Sequence, residues 1–597
     1  MRVEPLAAGS LSTVAIADGV DVADNQVPTR RALPLILIRG FGGAGVEDEK
    51  RVAYQGFNDG TVYPQKRGEN YIYEGLILRF MKSDWQYQDA TNVVGYYAKP
   101  VHLAAGGLPP ELEAFDKDYF TGDRIVIDPA MARNLIRSST DPCKTIWVFR
   151  YYDLDDRLFE TYGRALVRLI SFIRALAASK RPAEPNPKVN IIAHSMGGLL
   201  VREAVQVTYP GLNQRASDHI NKIVTLGTPH QGISFQFLRD WIRLDAEDEL
   251  EHFNPRFQAD RDAAGRKGKY RNGKNEAAYV YFKDHFPLDR MLTVVGTNYR
   301  SYSVGPSSWL NRLFSVAGEG GPTYNRSDGL VKQAYAQIPG AVRTFVHKCH
   351  GGQDSLVTSR EAYEIATRFF FGDVRARLRL IKAFVKRGGD WFGASEFFFG
   401  VSIKPRQVDF ELFHQSAEAE NCYGPFNKDD LSDSDVDIPW ADPESRLVWE
   451  GYLDTSKLVM DPGRGVKDMV LRLDFYVGER DTHGVGFSDN VIFRKQYYLR
   501  AVLNDPLVLY RHEDERFMAK AYVPAEKDRM RETASGWSFV VEGTGFEATL
   551  EFQLDHVPQD GLPIPLVSHL TDDTAVAADS GKSAMPKPSG ETGTPGA

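Results

Sequence analysis

The stretch Lys188-Val-Asn-Ile-Ile-Ala-His-Ser-Met-Gly-Gly198 constrains this chain more than any other. Val189 to Ile192 is a short apolar run rich in β-branched residues, the pattern of a buried strand, and Leu199-Leu200-Val201 opens a helical pattern directly after the glycines. Strand, sharp turn and helix follow one another, with Ser195 at the turn. So tight a turn holds its central residue in a strained conformation, lifts the serine hydroxyl above the sheet and exposes neighbouring amides to an oxyanion. Residues two positions away on each side must be small, because the strand and helix backbones pass very close there. Ala193 and Gly197 meet that need, Ala193 being the mildest departure from the usual glycine.

The chain's 597 residues are too many for one core and imply two or three domains. Its 80 acidic and 72 basic residues, net charge −8, leave no electrostatic footprint for nucleic acid. No apolar run reaches the length of about 18 residues that a membrane span needs, so no transmembrane segment is expected. Residues 1–31 lack a basic segment followed by an apolar core and read as a flexible lead, not a secretory signal. Three widely spaced cysteines, Cys143, Cys349 and Cys422, argue against a disulfide framework and against a zinc cluster. A cytoplasmic location is the default expectation, with export by a signal-independent route left open.

Pro34-Leu-Ile-Leu-Ile-Arg-Gly-Phe-Gly-Gly43 has a buried-strand pattern ending in glycines, but neither the Gly-Lys-Ser/Thr ending nor the spacing of a nucleotide-phosphate loop. Residues 46–140 are too long for an ordinary connection and read as an insertion. Cys143 to Tyr152 is a further strand, and Asp155 to Ala178 a helix whose Leu158, Tyr162, Leu166, Leu169, Ile170, Ile173 and Leu176 recur at helical spacing. After the serine turn, His219 to Leu226 is strand and runs into Gly227-Thr-Pro-His-Gln-Gly232. Such alternation predicts a mostly parallel sheet with helices on both faces. Residues 233–321 form a second insertion region. Within it Arg266 to Lys274 is strongly basic, Met291 to Gly296 returns to strand character, and Trp309, Leu310, Leu313, Phe314 and Val316 make an apolar cluster that reads as a lid or as ordinary core.

Ala193-His-Ser-Met-Gly-Gly198 followed by Leu226-Gly-Thr-Pro-His-Gln-Gly232 resembles the lipase and esterase branch of the α/β-hydrolase superfamily, including bacterial triacylglycerol lipases and the GPI-inositol-deacylase-like group. The resemblance implies that Ser195 is a nucleophile, that His230 shapes the site without being its base, and that Asn325-Arg-Ser-Asp-Gly-Leu-Val331 is the acid-bearing loop.

A serine needs a neutral imidazole to take its proton and a carboxylate to orient that imidazole. This fold delivers them in the order Ser, acid, His. Asp328 lies in a turn before an apolar stretch, Val342 to Cys349 reads as the last strand of the sheet, and His350 follows in the loop beyond it. Catalytic candidates are therefore Ser195, Asp328 and His350, with the backbone N–H groups of Phe41 and Met196 as the oxyanion hole. His347 is a rival base, though strand alternation would point it into a face of the sheet. Asp354 is a rival acid, or a ligand for a structural calcium, although one carboxylate does not make a metal site. No metal or organic cofactor is required.

Ser359 to Val385 reads as a closing helix and Lys386-Arg-Gly-Gly389 as a linker, so the α/β-hydrolase domain is expected over 32–388. From about Ser395 the hydrophobic period becomes two, as in Leu471 to Val477 and Phe546 to Leu554, predicting a C-terminal β-sandwich over 395–560. Asp429 to Asp442 is acidic, but Ile438 stands where an EF-hand needs glycine, so a solvated loop is expected. Residues 571–597 have the composition of a disordered tail. The expected function is hydrolysis of a lipid or other acyl ester, with peripheral membrane contact open to it. Acyl transfer or thioester cleavage by the same triad, and a non-catalytic interaction protein on a hydrolase scaffold, are the alternatives.

Overall fold

The computed structural model describes residues 32–40, 75–90, 94–95, 107–121, 126–149, 159–182, 186–232, 280–300, 326–351, 354–385, 395–427, 446–458, 460–461, 465–481, 490–503, 507–518, 523–543, 545–557 and 564–565. Phe41, the 309–316 cluster, Arg266–Lys274, Lys386–Gly389, the acidic loop 429–442, residues 1–31 and the tail 571–597 lie outside them, as do most of the two insertions.

Every residue of Val189–His194 is buried, as its run of β-branched residues demands of a strand covered on both faces. Around it lie Leu35–Ile38 (β1), Gln88–Asp89 (β2) and Thr145–Phe149 (β3), then Val189–His194 itself (β4), and Ile220–Leu226 (β5), Met291–Gly296 (β6) and Val342–Val346 (β7). They form one sheet in the order β2-β3-β1-β4-β5-β6-β7, and each neighbouring pair is parallel. The serine strand is thus its central strand.

Because side chains alternate along a strand, each strand except the exposed Gln88–Asp89 feeds two cores. Ile36, Ile38, Trp147, Phe149, Ile191 and Ala193 face Phe159–Lys180 (α2) and Met196–Glu203 (α3). Leu35, Leu37, Ile146, Val148 and Ile192 face Leu76–Lys82 (α1) and Arg360–Phe371 (α4). The α2 stripe predicted from periodicity is the buried one: Leu166, Leu169, Ile170, Ile173 and Leu176 are at most 1% exposed, each contributing about 1.5–3 kcal/mol of burial. Among the described residues no helix is long and apolar enough to cross a membrane.

The C-terminal part is two antiparallel sheets. Val374–Val385 (β8), Ser395–Pro405 (β9), Tyr423–Asn427 (β10), Leu447–Leu453 (β11), Val466–Asp481 (β12), Asn490–Val502 (β13), Val508–His512 (β14), Arg531–Glu532 (β15), Trp537–Gly543 (β16) and Phe546–His556 (β17) are its main strands. One sheet runs β11-β8-β17-β16-β15 and the other β10-β9-β12-β13-β14. Phe399 and Phe493 of the second sheet meet Phe546 of the first, with ring centroids 6.2 and 5.1 Å apart, so aromatic side chains fill the space between the sheets.

One expected element is corrected. The helix predicted over Ser359 to Val385 stops at Phe371, and Val374–Val385 is a strand paired with β11 and β17. Val374-Arg-Ala-Arg-Leu-Arg-Leu380 alternates apolar and cationic residues, and Val374, Ala376, Leu378 and Leu380 are buried while the arginines between them are not. That is a period of two, hidden in the sequence by the apolar helical residues just before it.

The sandwich is stitched to the outer strand of the parallel sheet. Thr344 Oγ1 in β7 donates to the Leu412 carbonyl at 2.7 Å, the His414 amide donates to the Phe345 carbonyl at 3.0 Å, and the Phe345 and Phe413 rings pack with centroids 5.6 Å apart. The segment after β9 thereby covers an edge that would otherwise present unpaired polar groups.

Candidate active site

Ser195 joins β4 to α3 with φ 56° and ψ −130°, a conformation costly for any residue but glycine. The surroundings over-determine it. Its amide donates to the Leu226 carbonyl at 3.0 Å, and backbone and the Thr228 side chain wall the turn. A Cβ at Gly197 would come within 2.6 Å of the Ile38 carbonyl oxygen, and one at Gly198 would overlap the Thr228 side chain. On the open side Gly40, just past β1, is so close that a Cβ there would lie 2.8 Å from Ser195 Oγ. Ala193, 0% exposed, fits at the first flanking position.

Asp328 and His350 reach the serine from two loops beyond the far strands. His350 Nδ1 lies 2.8 Å from Asp328 Oδ2, and His350 Nε2 lies 2.9 Å from Ser195 Oγ. Asp328 Oδ1 accepts from the Leu330 and Val331 amides at 3.0 and 2.8 Å. A carboxylate so supplied with donors is an acceptor, so His350 carries its proton on Nδ1 and turns the Nε2 lone pair to the serine hydroxyl. The two loops also bind each other directly, the His350 amide donating to the Asp328 carbonyl at 2.9 Å. Two glycines make the room: a Cβ at Gly227, itself at φ +55°, would lie 2.8 Å from Asp328 Oδ2, and one at Gly296 would lie 2.7 Å from Asp328 Cβ.

The rivals sit elsewhere. His347 Nδ1 is 3.1 Å from Thr297 Oγ1, and its ring packs against His414. Asp354 is engaged by Lys348 Nζ at 2.8 Å and by Asn298 Nδ2 at 3.1 Å, which uses its carboxylate as a brace for the loop after β7. Among the described residues no group of His, Cys, Asp and Glu is arranged to hold a metal ion. Burial, then the Asp354 and Asp328 charges, push the thiol of Cys349, next to His350, up to about 12.

His194, immediately before the serine, was not singled out from sequence. Its Nε2 lies 2.9 Å from the His350 carbonyl oxygen and the two rings are 4.8 Å apart. Burial, reinforced by His350 and Arg39, holds its pKa well below the ordinary histidine range, so it is neutral and donates Nε2–H to that carbonyl. Its place beside Ser195 was the available signal. His230 is likewise kept neutral by burial and then by Arg202, and its Nε2 lies 3.0 Å from Thr225 Oγ1, which makes it a packed turn histidine. For the oxyanion hole, Met196 is the first residue of α3, where amides have no partner within the helix. The other assigned donor, Phe41, lies outside the described residues, although Gly40 beside it is against the serine.

Residues 137–267 match the family described as the PGAP1-like alpha/beta domain. Among curated proteins none matches the chain. Solved structures similar to it include a lipase from Bacillus licheniformis, at 15% identity over 38% of this chain and 81% of that one, with a TM-score of 0.21. A Listeria innocua protein aligns at 12% identity over 57% of this chain and 93% of that one, with a TM-score of 0.25. The phospholipase PlaB from Legionella pneumophila aligns at 12% identity over 55% and 78%, with a TM-score of 0.23.

Proposed function

We propose that this chain, an α/β-hydrolase-fold protein with a PGAP1-like alpha/beta stretch, is a serine ester hydrolase acting on acyl esters, lipid esters foremost. The observation that carries the reading is the pair of contacts at His350, Nδ1 to Asp328 at 2.8 Å and Nε2 to Ser195 at 2.9 Å. Lipid esters come first because the Ala-His-Ser-Met-Gly and Gly-Thr-Pro-His motifs resemble those of lipases.

In the mechanism that follows, Ser195 Oγ bonds to the ester carbonyl carbon as its proton passes to His350 Nε2. The carbonyl oxygen becomes an oxyanion, held by the Met196 amide and by the loop after β1, where Phe41 N–H is the assigned partner; one such donor is typically worth about 10²- to 10³-fold in rate. Collapse breaks the bond to the alcohol, which leaves with the proton from His350. Water then repeats the sequence on the acyl-enzyme, with His350 again taking a proton, and the carboxylic acid departs. Asp328 stays ionised throughout and stabilises the transient imidazolium.

The test is hydrolysis of a matched series of p-nitrophenyl esters and of a phospholipid, with Ser195→Ala beside the wild type. Turnover that rises with acyl length and is absent from the variant supports the reading. Labelling of Ser195 by a fluorophosphonate without turnover of any ester would replace it with acyl transfer to an alcohol or thiol. No turnover and no labelling would return the chain to the non-catalytic alternative.

A further inference from the structure

The acid-bearing loop is held by the C-terminal sandwich as well as by its own sheet. Glu420, in the segment between β9 and β10, is buried, and its two carboxylate oxygens point at the hydrolase part. Oε2 accepts from the Arg326 amide at 3.1 Å, and Oε1 accepts from the Tyr299 hydroxyl at 3.2 Å. Beside it, Gln333 Nε2 donates to the Ala419 carbonyl at 2.9 Å. Arg326 and Gln333 are the two ends of the loop that carries Asp328: the Gln333 amide donates to the Arg326 carbonyl at 2.8 Å, and Ser327 bridges to Lys332 between them. The sandwich therefore grips the neck of the loop, and Asp328 sits at its head.

The grip is strained on both sides. Arg326 has φ 40° and Glu420 φ 51°, values that non-glycine residues hold only where their surroundings enforce them. The segment that presents Glu420 is in turn fixed to β9. The Val401 amide donates to Gln415 Oε1 at 3.1 Å and Gln415 Nε2 to the Asn421 carbonyl at 3.0 Å, while Asn421 Oδ1 accepts from the Ser416 amide at 3.0 Å. Hydrogen bonds and the short backbone steps between them thus link the sandwich strand to Arg326, two residues before the carboxylate that orients His350.

We propose that Glu420 is a positioning residue for the triad: by holding the Arg326 amide it sets where Asp328 meets His350, so the β-sandwich is part of the catalytic apparatus. This rests on the ester-hydrolase reading above. The hydrogen bond and its reach, not the negative charge, do the positioning. Glu420→Gln keeps an oxygen acceptor at full length for Arg326 and can donate to the Tyr299 oxygen. Glu420→Asp keeps the charge and tolerates positive φ but falls one methylene short.

The experiment measures kcat and KM on a p-nitrophenyl ester for full-length Glu420→Asp, →Gln and →Ala, each also combined with Asp328→Asn, with thermal unfolding as the check on folding. Glu420→Asp and Glu420→Ala are expected to lower kcat by about 10- to 100-fold, the scale of a displacement of the order of 1 Å, with KM unchanged. Glu420→Gln is expected to stay close to the wild type. On the Asp328→Asn background the Glu420 losses vanish, because the residue acts through Asp328. Should Glu420→Ala not fold, the contrast between the Asp and Gln variants decides. Full activity in Glu420→Asp, or losses that multiply unchanged with Asp328→Asn, would overturn the proposal while leaving the ester-hydrolase reading intact. A wild type that neither turns over esters nor is labelled at Ser195 would remove that reading, and the positioning role with it.

Discussion

The two halves of the candidate site are built in opposite ways. Ser195 is made locally, by a strand and a helix that share it, and the contacts enforcing its geometry are the backbone at Ile38, Leu226 and Gly40 together with the Thr228 side chain. Asp328 and His350 are made at long range, on loops held by each other, given room by glycines at 227 and 296, and braced by the contact of Arg326 with Glu420, 94 residues apart in sequence. A site half local and half assembled concentrates its vulnerability in the assembled half. The turn is sensitive only to what touches it, such as the glycines at 40, 197 and 198, whereas a carboxylate on a braced loop inherits every error of a distant brace as well.

Several substitutions can break this contrast. Ser195→Ala removes the nucleophile and is expected to cost about 10⁶-fold in kcat with the melting temperature preserved, since the hydroxyl's partner is His350 and not the turn. Next in size, Asp328→Asn should lower kcat about 10⁴-fold by spoiling the imidazole tautomer; near-normal turnover would remove Asp328 from the triad. Gly40→Ala puts a methyl against Ser195 Oγ and should reduce labelling of the serine by about 10²-fold, whereas Gly211→Ala, where an added Cβ meets nothing within 4 Å, should leave it unchanged. Equal effects of these two glycine variants would contradict a nucleophile enforced by close backbone.

The smallest expected effect is on stability. His194 and His230 are buried and held neutral, so their folded pKa values lie below the unfolded one. Below the unfolded value of about 6.5 the unfolded chain binds protons that the folded chain does not, and stability is lost as pH falls, by at most about 1.4 kcal/mol per pH unit for each group. Above that value the contribution is constant. Urea midpoints taken on either side of it should therefore drop on the acid side; a midpoint that is flat or rises on acidification would show that these histidines are not held neutral.

The local half was legible in the sequence, because strand, turn and helix leave a contiguous pattern around Ser195. Six of the seven described strands of the parallel sheet were legible for the same reason, each being a short, largely apolar run, whereas Gln88–Asp89, two exposed polar residues within the stretch read as an insertion, was not. Asp328 and His350 could be chosen by their order relative to the strands and by the resemblance of the Ser327 to Val331 string to a lipase acid loop, and the structure brings Asp328 to His350 and His350 to Ser195. What escaped was whatever depends on contact between distant segments. Glu420 lies in a stretch with no motif, and its partner is a backbone amide that any residue at 326 would supply. The strand Val374–Val385 escaped because its alternation follows an amphipathic helix with only Gly372 and Asp373 between them.

The most direct test of the central claim is reaction with a fluorophosphonate, with the adduct located by peptide mass. One adduct is expected, on Ser195, forming far more slowly in Asp328→Asn and not at all in Ser195→Ala. An unlabelled wild type, or an adduct on another residue, would contradict a serine activated by His350 and Asp328.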